Sequence, residues 1–119
     1  ARDAYELMRP ELFDEVIEHF YLILLSRSNY LIKKQLISQG GTSGTVVDPK
    51  LVFKTALEHM AHSVILVHNH PSGIPEPSRQ DIAITKDIAE AAAKLGLALH
   101  DHIIIGGSDY RSFRAMGLI

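Results

Sequence analysis

Cysteine and tryptophan are both missing from this 119-residue chain. Without cysteine there can be no disulfide and no thiolate metal ligand, so any bound metal must rest on nitrogen and oxygen donors. The same absence fits a reducing compartment, and a cytoplasmic location is expected. Clustered positive charge is scarce too. The formal net charge is −2, and no basic block is longer than Lys33-Lys34. With a pI near 6.4, the chain is a poor candidate for gripping phosphate backbones. No apolar run approaches the ~20 residues of a membrane span, and no stretch reads as a signal peptide. The chain starts ARDAYE without an initiator Met, and is expected to be a piece of a longer protein.

What is present suits one globular domain, with 46% hydrophobic and 22% charged residues. Residues 1–15 are divided by Pro10 and read as a loosely placed N-terminal segment or linker remnant. Residues 16–119 form the domain proper. EHFYLILLS (18–26) and YLIKKQLIS (30–38) read as a strand hairpin about the turn Arg27-Ser28-Asn29. QGGTSGT (39–45) is a flexible connection, with Gly40-Gly41 at the edge of a cleft. Asp48-Pro49 starts a helix, with Leu51, Phe53, Ala56, Leu57 and Met60 as its apolar face and an end near His62. SVILVHN (63–69) is a strand. Ser78 caps a helix that runs to Lys94 or Leu95 and stops at Gly96. LALHDHIIIG (97–106) is a further strand, and DYRSFRAMGLI adds one more strand or turn. Alternating strands and helices predict an α/β fold with a mixed sheet flanked by helices.

The chemistry concentrates in VHNHPSGIPEPSRQD. Side chains two apart on a strand share a face, so His68 and His70 project together and Asn69 turns away. Taken alone, such a pair more often serves structure than metal. Here it stands at the end of a strand, before a loop stiffened by Pro71, Pro75 and Pro77. The loop delivers Asp81 to the first turn of the next helix, where a carboxylate is favoured. Ser78-x-x-Asp81 also has the form of a capping box. A metal site accounts for all these parts together: His68, His70 and Asp81 supply three ligands, and zinc in a catalytic site takes three plus water. One zinc ion per chain is expected. No glycine cluster forms a nucleotide-binding fingerprint.

His68-x-His70, a ten-residue gap, Asp81, and Ser78 three before it resemble the JAMM motif of the JAB/MPN metalloproteases. The longer string HNHPSGIPEPSRQDIAIT, with DHIIIG at 101–106, is similar to the bacterial RadC branch, the UPF0758 group, over residues 16–119. Asn69 stands where the wider pattern has Ser or Thr, and the RadC branch shares the asparagine. A contiguous His-Asn-His is not the motif of the HNH nucleases, whose named residues lie far apart.

The resemblance implies deaminase-like α-β-α layers and a zinc-dependent hydrolase cleaving a peptide or isopeptide bond. It implies a catalytic base at Glu18 and an oxyanion donor at Ser78. The residues alone leave Glu11, Glu15, Glu58 and Glu76 open as bases, although a carboxylate on a strand is better fixed than one on a loop. For His100, Asp101 and His102 a supporting role is expected rather than ligation, with His100 and His102 on one strand face. His19, His59 and His62 have no constellation around them. The expected partner is a protein or peptide substrate, with no membrane; a homodimer stays open. The rival readings are a metal-stabilised interaction module without catalysis and, from the family's DNA-repair label, a nucleic-acid accessory domain.

Overall fold

A computed structural model describes residues 1–40 and 47–119. Residues 41–46, most of the expected connection and Gly41 with it, lie outside the described residues. The elements run α1 (Arg2–Leu12), β1 (His19–Leu25), β2 (Leu31–Gln39), α2 (Pro49–Glu58), β3 (Ser63–Asn69), α3 (Arg79–Lys94), β4 (Ala98–Gly106) and β5 (Asp109–Ser112). Among the described residues, five strands form one mixed sheet in the order β2-β1-β3-β4-β5. β1 is antiparallel to both β2 and β3, β3 and β4 are parallel, and β5 returns antiparallel on β4. The parallel pair β3–β4 brackets α3, as a crossover helix requires.

Alternation along the strands loads both faces of the sheet with apolar side chains. Phe20, Leu22, Leu24, Val64 and Leu66 pack with Val52 and Ala56 of α2 and Ile88 and Ala92 of α3. On the opposite face Ile23, Val67, Ile103 and Ile105 pack with Ala4, Met8 and Leu12 of α1. Helices thus cover both sides of a central sheet, the mixed α/β architecture of the JAB/MPN fold. No helix among the described residues is long and apolar enough to cross a membrane.

Two expectations need correction. Residues 1–15 are not a loose remnant, because Ala4, Met8 and Leu12 sit four apart on one face of α1 and are buried. Pro10 is accommodated inside the helix. α2 ends at Glu58 rather than near His62, and Met60 adopts φ +50° and is exposed. Its buried face is Val52, Thr55 and Ala56, while Leu51 and Leu57 point outward.

Candidate metal centre

β3 carries His68 next to its last residue, and His70 follows directly after the strand. Its pairing with β1 sets Phe20 opposite His68, which brings the residue just before β1, Glu18, to the same end of the sheet. The loop after β3 is held down at several points. His70 N–H donates to the Ile105 carbonyl at 2.8 Å, and Gly73 N–H to the His70 carbonyl at 3.0 Å. Arg111 donates from Nη2 to Glu76 Oε1 at 3.0 Å. Gly106 allows the close approach: a Cβ there would lie 2.6 Å from Pro75 N and 2.9 Å from the Ile74 carbonyl carbon.

Ser78 then starts α3 with a full capping box. Its Oγ accepts from Asp81 N–H at 3.0 Å, and its own N–H donates to Asp81 Oδ2 at 2.8 Å. The capping and metal readings of Ser78-x-x-Asp81 are therefore compatible, since the cap is what aims the carboxylate. Asp81 Oδ1 lies 3.2 Å from His68 Nε2, and Oδ2 lies 3.1 Å from His70 Nε2. The two Nε2 atoms are 3.0 Å apart, and Glu18 Oε1 is 3.6 Å from His68 Nε2. Ligand atoms of Glu18, His68, His70 and Asp81 all fall within 4.8 Å of one another.

These spacings fit a metal ion. Tetrahedral ligands at zinc distances of ~2.0–2.2 Å stand about 3.3 Å apart, close to the separations between His68, His70 and Asp81. The His70 ring is oriented by Nδ1–H donating to the Ile74 carbonyl at 2.9 Å, which leaves Nε2 as the lone-pair atom. Burial acts against protonation of His70, but the Asp81 carboxylate, the Ile74 carbonyl and Glu18 outweigh it and raise its pKa. Burial likewise opposes ionisation of Asp81, yet the contacts to His68 and His70 hold its carboxyl well below the usual carboxylate range. Both shifts have the sign of a cluster that favours positive charge between its ligand atoms.

Other carboxylates are engaged elsewhere. Glu11 pairs with Lys34, Glu58 with Lys54 and Glu76 with Arg111. Glu15 lines a cavity of about 380 Å³ beside His70, together with Asp14, Phe13 and Gly107. Glu18, His68 and Asp81 are not among the residues lining that cavity. Of the five glutamates considered as bases, Glu18 alone stands in the cluster.

Asn69 has a part that the spacing of the motif did not reveal. Its Oδ1 accepts from His19 N–H at 2.6 Å, and its Nδ2 donates to the Ile17 carbonyl at 3.0 Å. It clamps the backbone on both sides of Glu18, while Gly40 N–H holds the Glu18 carbonyl at 2.9 Å. The second histidine pair separates. A register shift sets Leu99 opposite Val64 but Asp101 opposite Ile65, so His100 is the extra residue of a bulge. His100 Nε2 reaches Asn29 Oδ1 at 3.3 Å, whereas His102 is fully buried with Nε2 2.7 Å from His68 Nδ1. The expected shared face is lost to that bulge. Burial, then the neighbouring His68, hold the pKa of His102 well below the ordinary histidine range. His19 and His59 lie outside the cluster, with their Nδ1 atoms on the Ile17 and Thr55 carbonyls.

A family profile described as RadC-like JAB domain matches residues 1–118. The chain is 42% identical over 118 residues to the UPF0758 protein STH371 of Symbiobacterium thermophilum, covering 99% of this chain and 50% of that protein. It is 43% identical over 119 residues to a UPF0758 protein of Methanococcoides burtonii, covering all of this chain and 52% of that one. It is 45% identical over 116 residues to the UPF0758 protein pc1765 of Protochlamydia amoebophila, covering 98% and 50%. The chain spans about half the length of the curated relatives it matches.

Proposed function

The chain belongs to the RadC-like JAB domain family, and from that premise we propose that it is a zinc-dependent hydrolase cleaving a peptide or isopeptide bond. One observation carries the reading: the ligand atoms of Glu18, His68, His70 and Asp81, drawn from separate parts of the chain, converge within 4.8 Å. His68, His70 and Asp81 would hold the metal. When bound, zinc supplies Lewis acidity and brings the pKa of water towards ~7.

The protein's own groups do the rest. Glu18 Oε1, beside the ligands and fixed through its backbone neighbours, receives the proton of the attacking water and returns it to the leaving amine. The Ser78 hydroxyl uses its oxygen as the helix cap, so its O–H is free to donate to the developing oxyanion. Asp81 keeps its charge and balances the metal.

The test is metal content and peptide hydrolysis, measured on the wild type, His70→Ala, Asp81→Ala and Glu18→Gln. About one zinc per chain is expected in the wild type and in Glu18→Gln, with loss in the other two. Glu18→Gln should lower the hydrolytic rate by about 10²–10⁴-fold. Zinc bound to wild type with no hydrolysis of a peptide or isopeptide library would favour a metal-stabilised interaction module instead. Zinc content unchanged in both ligand variants would end the metal reading.

A further inference from the structure

Thr85 stands one turn after Asp81 in α3. Its Oγ1 is 2.6 Å from the Asp81 carbonyl oxygen and 2.6 Å from His102 Nδ1. A carbonyl can only accept, so the Thr85 O–H points at Asp81. The reverse polarity would leave two oxygens 2.6 Å apart with no proton between them. Thr85 Oγ1 must then accept from His102, which places the His102 proton on Nδ1.

His102 is fully buried, stacked on Phe113 at 4.5 Å and set edge-on to Phe20 at 5.6 Å. Its two ring nitrogens meet only the Thr85 hydroxyl and the His68 ring, with no carboxylate hydrogen-bonded to either, and an unpaired charge enclosed between aromatic rings is costly, so the ring is assigned the neutral form and its Nε2 is a bare acceptor. The group facing that acceptor at 2.7 Å is His68 Nδ1, which must donate. His68 Nε2 is thereby left as a lone pair directed at the cluster. One main-chain carbonyl thus dictates the proton positions of two imidazoles in succession. The chain of bonds also begins and ends on metal ligands, His68 at one end and Asp81 at the other.

We propose that His102 and Thr85 are positioning residues that preset the Nδ1–H tautomer of His68, so that its Nε2 is ready for a metal before one arrives. The proposal rests on the metal reading above and extends it to residues that touch neither metal nor substrate. Neutral histidine in water is free to carry its proton on either nitrogen. A site that must first correct the wrong tautomer binds metal more weakly, and loss of such a partner typically costs ~10–100-fold in affinity.

The deciding experiment is nitrogen-15 NMR of the histidine rings in zinc-free protein, at a pH above the ordinary histidine range. Zinc affinity is measured in parallel by chelator competition. In the wild type, both His68 and His102 should carry the proton on Nδ1. Thr85→Val, nearly the same shape without the hydroxyl, removes the acceptor for His102 Nδ1–H. Both rings should then shift towards Nε2–H, and zinc affinity should fall by ~10–100-fold. Thr85→Ser should restore tautomers and affinity together, which a purely structural role for the threonine would not require. A wild-type His68 found as Nε2–H overturns the proposal without any variant, as does a folded Thr85→Val that keeps wild-type tautomers and affinity. Wild-type protein with the expected tautomers but no zinc binding would sink the metal reading while leaving the hydrogen-bond chain intact, so the two failures are told apart.

Discussion

The chain contains two His-x-His stretches, and they are put to different use. In His68-Asn69-His70, at the end of β3, both outer residues reach one point with Nε2 atoms 3.0 Å apart. In His100-Asp101-His102, inside β4, a bulge sends the outer residues to different surroundings. The middle residues are the more alike. Asn69 fastens the backbone around Glu18. Asp101 fastens the C-terminal segment, with Oδ2 accepting from Ser112 Oγ at 2.5 Å and Oδ1 from Arg114 N–H at 3.0 Å and His102 N–H at 2.8 Å. Sequence spacing alone does not say whether two side chains will meet. Strand pairing does, and in each stretch the residue between the histidines anchors a distant piece of chain.

That contrast can be pressed by substitution. Asp101→Ala should have the largest effect on stability, about 3 kcal/mol by urea unfolding, because it strands buried donors. Zinc stoichiometry should nonetheless hold; if it falls in the folded variant, the two stretches are less separate than their contacts imply. Asn69→Ala should cost about 1–2 kcal/mol, and should lower hydrolysis more than zinc binding, because it frees Glu18 and leaves the histidines in place. An equal loss of both would place its action on the ligands.

The pH dependence probes the first stretch alone. His70 has a raised pKa, so in metal-free protein it contributes stability that is present below its unfolded value of ~6.5 and lost as pH rises through the folded value. Zinc needs the neutral ring. Its affinity should therefore fall on acidification below the raised pKa, by up to about tenfold per pH unit, and level off above it. Chelator competition across that window checks the sign, and a flat profile would mean no proton is displaced. The smallest effect belongs to His100→Ala, within about 0.5 kcal/mol in stability and with zinc affinity unchanged.

Much of this arrangement is legible in the sequence. SVILVHN is β3 residue for residue, and Ser78, Asp81 and Gly96 mark α3 by local rules of capping and left-handed termination, Gly96 having φ +73°. The convergence of His68, His70 and Asp81 follows because strand alternation and a stiff loop are local properties. Glu18 is different. It reaches the cluster through pairing of β1 with β3, a contact fifty residues long in sequence that no local pattern encodes, and the family resemblance supplied it. The bulge at His100 was invisible because it depends on the register of a neighbouring strand. α1 could have been found, since Ala4, Met8 and Leu12 repeat every four residues, but Pro10 masked the pattern.

Gly106 has a bearing on how this motif could be moved. A designer wishing to transplant it would take the strand, the proline loop and the capped helix as one cassette. That cassette would fail on a host sheet whose adjacent strand ends in any residue bearing a side chain, because the loop's backbone at Ile74 and Pro75 rests where that side chain would stand. With the loop displaced, the Ile74 carbonyl would no longer orient the His70 ring. The portable unit is therefore larger than the motif: it includes the last residue of a neighbouring strand, a position more than twenty residues away in the chain that carries no functional group at all.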